Sequence, residues 1–452
     1  MVTGYLGATL KIALADSDKI NLDLWKVPNS APAKNSFGEF IPLYYEEAGW
    51  VHFPRNNMPE LECIIEERNY TSSIETGYFF HQEYRDYQVE VVDKALKFMR
   101  RSIRLGIARD VIICAPCASG KTHMAFYAID QLAVKTLIAV PTEPLFKQWV
   151  ERLTDWTGEE PGMFTGRKKS FKNITVALVP SLISKLAKKY QHELNKFALL
   201  INDEVHRLGA DKWSKAVCRI PAGYRLSFSA TPKRGDGLDI IMFSHCGQVV
   251  AEVSRKQLIE EGYIKNPKVF IFERTIPTLI QRWNGFNWAA TCTKIARHSV
   301  VISDVQHIIK QSLNKGKKTM VLTNRLELIQ PLKELFPDAF LLVGVSNLEE
   351  AIDREKLFKA QLILAIDKLA TTGIELPALS TMISVTPYAD PSVIEQMLGR
   401  NSRPDSIDPV FVDYYIHEPK TDKKDFLKFM FQSRLKVYES LECEVTYVRR
   451  EE

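Results

Sequence analysis

The chain has 452 residues, of which 45% are hydrophobic and 25% charged, with a formal net charge of +5. Those proportions are usual for a folded globular protein. They exclude a disordered tail, a collagen-like fibre and a small disulfide-stapled scaffold. No run approaches the roughly 20 apolar residues of a membrane-spanning helix. The stretch Met1–Asp18 lacks a basic leader and is interrupted by Lys11, so a soluble cytoplasmic protein with no membrane partner is expected.

Charge and aromatics are unevenly spread. Residues 1–80 hold 6 basic and 11 acidic side chains, net −5, leaving +10 for the remainder, and they carry 12 of the 46 aromatics. Short aromatic and β-branched runs such as Phe40–Tyr45 and Trp50–Phe53, separated by Asn, Pro and Gly, predict a small β-rich N-terminal domain over 1–80.

From about residue 84 short apolar runs alternate with amphipathic stretches. Val111–Cys114, Thr136–Val140, Ile174–Leu178, Ala198–Ile201 and Arg225–Phe228 read as strands buried on both faces, which implies a parallel sheet with helices on either side. The series restarts with Val269–Phe272, Thr319–Leu322, Phe340–Val343, Leu362–Ala365 and Met382–Val385. The predicted fold class is therefore α/β: two tandem parallel-sheet domains, 81–265 and 266–452, behind the β-rich front piece. Glu261–Pro267, where a Gly and a Pro bracket the change of unit, is the expected hinge.

Ala115, Pro116, Cys117, Ala118, Ser119, Gly120, Lys121 and Thr122 follow a predicted strand and open a predicted helix, the setting a phosphate loop requires. Backbone N–H groups and the helix dipole would cradle phosphates. Lys121 would reach the β- and γ-phosphates of ATP, and the Thr122 hydroxyl would hold Mg²⁺. Ala115 stands where the pattern has Gly and fits if its φ is negative. Seven scattered cysteines suit a reducing compartment. Cys114 and Cys117 have the CxxC spacing but lack a second ligand pair, so neither a zinc nor a redox role is expected.

The strand Ala198–Ile201 runs into Asn202, Asp203, Glu204, Val205 and His206. Asp203 is the candidate Mg²⁺ anchor, and Glu204 the base that orients and deprotonates the attacking water. His206 lacks a cluster that would make it a zinc ligand and is assigned to coupling.

Asp203–His206 together with the phosphate loop resembles superfamily 2 helicases and translocases of the DExH group, over about residues 84–415. Arg85–Gln88 resembles the motif in which Gln88 reads adenine. Val140–Trp149 and Thr175–Leu182 resemble strand-contacting motifs. Ser229–Pro232 resembles the coupling motif, with Ser229 and Thr231. In the second domain Leu322–Arg325, Ala370–Pro377 and Gln396–Arg403 resemble motifs IV, V and VI. The resemblance implies tandem RecA-like domains with ATP in the cleft between them. It implies nucleotide contacts from Gly373 and Glu375, Gln396 placing the water or γ-phosphate, and Arg400 and Arg403 as arginine fingers. Thr142, Ser181, Asn324, Arg325 and Thr372 are the implied phosphate contacts on nucleic acid, which would make binding sequence-independent and salt-sensitive. The sequence departs from the pattern at Glu375, where Asp is usual, and at Asn401 and Ser402, where small residues are usual.

Ser229–Arg234, Gly247–Val250 and Val253–Ile264 look like phage recombination helicases of the UvsW type. That implies remodelling of branched or forked DNA, by junction migration, fork regression or unwinding of R-loops and D-loops, in a host cytoplasm if the gene is phage-encoded. An RNA helicase of the DExH group and a duplex translocase that does not separate strands remain as alternatives. A non-enzymatic binding protein is disfavoured by intact Lys121, Asp203, Glu204, Arg400 and Arg403. The three aromatics of Gln281–Trp288 flank a predicted turn; core packing is their first reading and a strand-splitting wedge the second. If they split strands, Trp283→Ala impairs unwinding of a labelled junction in a gel assay while DNA-stimulated ATP hydrolysis persists.

Overall fold

The computed structural model describes residues 83–104, 110–205, 216, 220–230, 239–276, 287–343, 353–366, 376–417 and 426–449, with strands among residues 2–67. In the front piece, β1 (Val2–Leu6), β2 (Leu10–Ala13), β5 (Tyr45–Glu47), β6 (Trp50–Phe53) and β7 (Cys63–Glu67) form a sheet of order β5-β6-β2-β1-β7. Only β1 and β7 run parallel. β3 (Lys26–Pro28) and β4 (Phe40–Pro42) make a separate antiparallel pair.

Chain contacts define two compact units that change over between Ser254 and Arg255. This falls before the expected hinge at Glu261–Pro267. The reason lies in the second unit: the Lys265 N–H donates to the Ser402 carbonyl, and the Asn266 side-chain amide to the carbonyls of Leu441 and Glu442. Residues 255–267 are thereby fastened to that unit.

The first unit adds α1 (Asp86–Arg104), β8 (Val111–Cys114), α2 (Lys121–Leu132), β9 (Thr136–Val140), α3 (Glu143–Thr157), β10 (Gly162–Phe164), β11 (Lys169–Ser170), β12 (Ile174–Leu178), β13 (Leu199–Asn202), β14 (Tyr224–Ser229) and β15 (Gln248–Glu252). The sheet order is β11-β10-β12-β9-β13-β14-β8-β15, parallel throughout except for β10 with β11. Alternate residues of a strand point to opposite faces. Leu137 and Ala139 of β9 accordingly enter one core with Ile112, Ala177 and Leu200, while Ile138 between them is equally buried. β15 can start beside β8 because Gly247 has φ +92° and a Cβ there would lie 1.9 Å from the Asp110 carbonyl oxygen.

The second unit is a parallel sheet of β16 (Lys268–Thr275), β17 (Thr319–Thr323), β18 (Phe340–Leu342), β19 (Leu362–Ile366), β20 (Thr381–Ser384), β21 (Val410–His417) and β22 (Val445–Arg449), in the order β18-β19-β17-β20-β21-β16-β22. The same alternation divides two cores: Met320, Leu322, Met382 and Phe411 enter one, and Val321, Leu364, Ile383 and Val412 the other. Both units are thus doubly wound α/β, as the alternating strands and helices imply.

At the closed end of the first sheet Arg225 is paired with Asp110 at 3.3 Å, both essentially solvent-free, and also donates to the Ile220 carbonyl. Removing one partner of such a pair strands a buried charge. Arg225→Leu is expected to cost about 3–5 kcal/mol, seen as a lower urea midpoint, with Arg225→Leu/Asp110→Asn recovering part of the loss.

Candidate nucleotide-binding site

The C-terminal ends of β8, β9, β12, β13 and β14 all open on one edge of the first sheet, the edge where open α/β sheets bind ligands. From β8 the chain enters the phosphate loop, whose backbone is pinned at its start by the Ala115 N–H donating to the Ser229 carbonyl at 2.9 Å. Ala118 and Gly120 have φ of 67° and 78°. These left-handed residues turn successive N–H groups inward, making the concave nest that suits an anion. Ala115 is absent from the described residues with positive φ, which meets the condition for Ala in place of Gly. Gly120 is required by its φ of 78°; a Cβ there would also lie 2.4 Å from Gln88 Nε2, the end of a side chain that would have to shift. Gln88 is buried, with its Oε1 accepting from the Arg85 N–H at 3.1 Å.

β8 and β13 are separated by one strand, hence by about 10 Å. The Lys121 side chain spans this gap, and its Nζ pairs with Glu204 Oε1 at 3.0 Å. Glu204 itself has φ 54°, a conformation that costs a non-glycine residue of the order of 1 kcal/mol or more. The flanking backbone enforces it: the Asp203 N–H donates to Ala139 of β9, and the Val205 N–H to Phe228 of β14. The carboxylate is therefore held at the apex of a short bend clamped between two strands.

Asp203 is 6% exposed; its Oδ2 accepts from the Trp149 indole N–H at 2.9 Å, and its Oδ1 is buried. The Thr122 hydroxyl accepts from the Arg152 guanidinium at 2.7 Å. A hydroxyl and a carboxylate are hard oxygen donors that suit Mg²⁺, which takes few protein ligands and completes its shell with phosphate and water. No group of three or more His, Cys, Asp or Glu side chains that could hold a metal occurs among the described residues. The sequence assigns no role to Arg152 or His123 and has Trp149 only as the last residue of a strand-contacting motif. Trp149 and Arg152 lie three apart on α3 and so share a helix face, but that spacing does not say what the face touches.

Thr142 caps α3 with extended backbone and no side-chain capping bond, and its Oγ1 is buried without a partner. Ser181 lies in the short helix Val179–Ile183 and is 7% exposed. Ser229 is fully buried. In the second unit Asn324 and Arg325 follow β17. The Arg325 guanidinium donates to the Ala289 carbonyl and the Thr293 hydroxyl, fastening helix Trp288–Arg297. Gln396 and Arg400 lie on helix Pro391–Arg400, and Arg403 donates to the Leu376 carbonyl at 2.6 Å. The departures at Asn401 and Ser402 have a packing reason. Both are fully buried, and they donate to the carbonyls of Val410 and Leu398, fixing the turn that carries Arg403. His206, Thr231, Thr372, Gly373 and Glu375 lie outside the described residues, as does Trp283.

Residues 81–234 match the family "Type III restriction enzyme, res subunit". The chain is 36% identical over 188 residues to the DNA 3'-5' translocase XPB2 of Sulfurisphaera tokodaii, a match covering 41% of this chain and 39% of that protein. It is 25% identical over 427 residues to protein L396 of Acanthamoeba polyphaga mimivirus, named as a candidate ATP-dependent RNA helicase, covering 88% and 77%. In structure it resembles the Type ISP restriction-modification enzyme LlaBIII bound to DNA, with a TM-score of 0.58, 16% identity and coverage of 82% and 31%. The sequence is thus related to helicases and translocases, and the fold is that of tandem RecA-like domains. No helix among the described residues is long and apolar enough to cross a membrane.

His123, beside the phosphate-loop lysine, stacks edge-on with Trp156 at 4.6 Å. Burial, helped by the charges of Arg152 and Arg85, lowers its pKa to about 4. An unfolded histidine titrates near 6.5, so between pH 6.5 and about 4 the unfolded chain binds the extra proton and the fold does not. This contribution to stability is intact above pH 6.5 and lost as pH falls through that window. His123→Phe is expected to flatten that part of the dependence, read as a smaller drop in thermal midpoint from pH 7.5 to pH 5 than in the wild type.

Proposed function

We propose that this chain is an ATP-driven DNA helicase or translocase that acts on branched DNA, including four-way junctions, forks, R-loops and D-loops. The observation that carries the motor reading is the grouping of Lys121, Glu204, Thr122 and Asp203 on one sheet edge, with Lys121 and Glu204 in direct contact. DNA as the track is supported by the 36% identity to a protein named as a DNA translocase. Branched DNA is supported by the UvsW-like stretches Ser229–Arg234, Gly247–Val250 and Val253–Ile264.

In this reading the nest from Ala115 to Gly120 binds the phosphates through N–H groups. Lys121 then transfers its charge from Glu204 to the β- and γ-phosphates. That exchange leaves the Glu204 carboxylate without its counter-charge when ATP is bound, so that it can accept a proton from the attacking water. Thr122 and Asp203 would hold Mg²⁺, which supplies positive charge to the triphosphate oxygens. Gln88 recognises the base, with Gly373 and Glu375 adding nucleotide contacts from the second unit. Gln396 orients the water or γ-phosphate, and Arg400 and Arg403 offset the charge that develops during cleavage. Ser229, whose carbonyl already fixes Ala115, joins Thr231 and His206 in coupling the nucleotide state to the grip on DNA. Thr142, Ser181, Asn324, Arg325 and Thr372 belong to the backbone-contacting surface.

A second reading has RNA as the track. The relative named as an RNA helicase aligns with 88% of the chain, and backbone contacts alone do not distinguish the two nucleic acids. One experiment separates the readings: ATP-dependent processing of a labelled four-way DNA junction, compared with a linear DNA duplex and an RNA duplex. Junction processing well above the other two is expected; preference for the RNA duplex overturns the DNA assignment. Glu204→Gln is expected to lower turnover by about 10²–10⁴-fold while nucleotide binding persists. Lys121→Ala should weaken nucleotide binding as well.

A further inference from the structure

Two of the candidate Mg²⁺ ligands are held by side chains of a single helix. Arg152 of α3 donates to Thr122 Oγ1 at 2.7 Å, and Trp149 of α3 donates to Asp203 Oδ2 at 2.9 Å. The two lie three residues apart and share one face. Trp149 and its neighbours Phe146 and Leu153 anchor that face in the core. The same helix begins at Thr142, about 15 Å of helix away from Arg152, with a buried Oγ1 that has no partner.

The two bonds have opposite consequences for a divalent cation. The indole N–H is neutral and fixes the Asp203 carboxylate without competing for its charge. The guanidinium is cationic and occupies a lone pair of the hydroxyl that Mg²⁺ would use. A full positive charge in hydrogen-bond contact with Thr122 and a divalent cation on the same oxygen repel each other. The arrangement with Arg152 on Thr122 is therefore one in which Mg²⁺ binding is disfavoured, although Lys121 and Asp203 are already in place.

We propose that Arg152 is a positioning residue that latches Thr122 and sets the Mg²⁺ requirement of the nucleotide site, and that DNA engaging the Thr142 end of α3 withdraws the latch. This rests on the ATP-driven motor reading and deepens it by assigning one helix to join the DNA-contacting end to the metal position.

The test is equilibrium binding of a fluorescent ADP derivative to the full chain as Mg²⁺ is titrated, with and without duplex DNA. Without DNA, Arg152→Met is expected to lower the half-saturating Mg²⁺ concentration roughly tenfold, the effect of losing one hydrogen bond to a charged group. DNA should shift the wild type in the same direction and shift Arg152→Met by less than about twofold. A lone packing role for Arg152 would change the thermal midpoint and leave the Mg²⁺ dependence alone. An unchanged or increased Mg²⁺ requirement in Arg152→Met overturns the proposal, the increase marking Arg152 as a phosphate ligand instead. If Arg152→Met does not fold, Arg152→Gln removes the charge and keeps a polar side chain. It should then shift at least about threefold in the same direction, and no shift overturns the proposal. Equal nucleotide binding by wild type and Lys121→Ala would instead overturn the motor reading itself.

Discussion

Parallel strands cannot be joined by tight hairpins. Each must return through a crossover, so all their C-terminal ends collect along one edge. In the first unit that edge receives the phosphate loop after β8, Thr142 after β9, Ser181 after β12, Asp203 and Glu204 after β13, and Ser229 at the end of β14. In the second unit Asn324 and Arg325 follow β17 in the same way. Residues up to 114 positions apart in sequence are brought to one line by the direction of the chain, before any side chain is considered.

The backbone at that edge departs from ordinary geometry where the chemistry needs it. Ala118, Gly120 and Glu204 are left-handed. The strain at Glu204 is sustained because both flanking N–H groups are committed to neighbouring strands. The ion pair between Lys121 and Glu204 places an ammonium and a carboxylate 3.0 Å apart on that edge.

Of the strands that sequence reasoning located, Val111–Cys114, Thr136–Val140 and Ile174–Leu178 coincide with β8, β9 and β12, which are almost wholly buried, and Phe340–Val343 overlaps β18, which is partly exposed. The strands without such a signature lie at or near sheet edges or carry polar residues. β22 has no buried residue, β15 is exposed at both ends, and β21 contains Asp413. Asp413 is legible only in three dimensions, where it is paired with Arg434 at 2.8 Å and accepts from Tyr438, all three buried. The point of change between the units also escaped the sequence. Gly262 and Pro267 mark turns, but the bonds to Ser402, Leu441 and Glu442 assign that stretch to the second unit.

By itself the sequence determined the α/β class with its two parallel-sheet units, and it nominated the loop and acidic residues of the candidate site. These depend on local rules: strand hydrophobicity, the glycine a left-handed turn requires, and the residue types that phosphate and Mg²⁺ chemistry admit. Only the tertiary structure decided that Trp149 and Arg152 bond the side chains of Asp203 and Thr122, that Glu204 is strained, and that the Arg325 guanidinium is committed to a neighbouring helix. Those outcomes depend on which strand lies beside which and on distances across the sheet, and no local pattern encodes them.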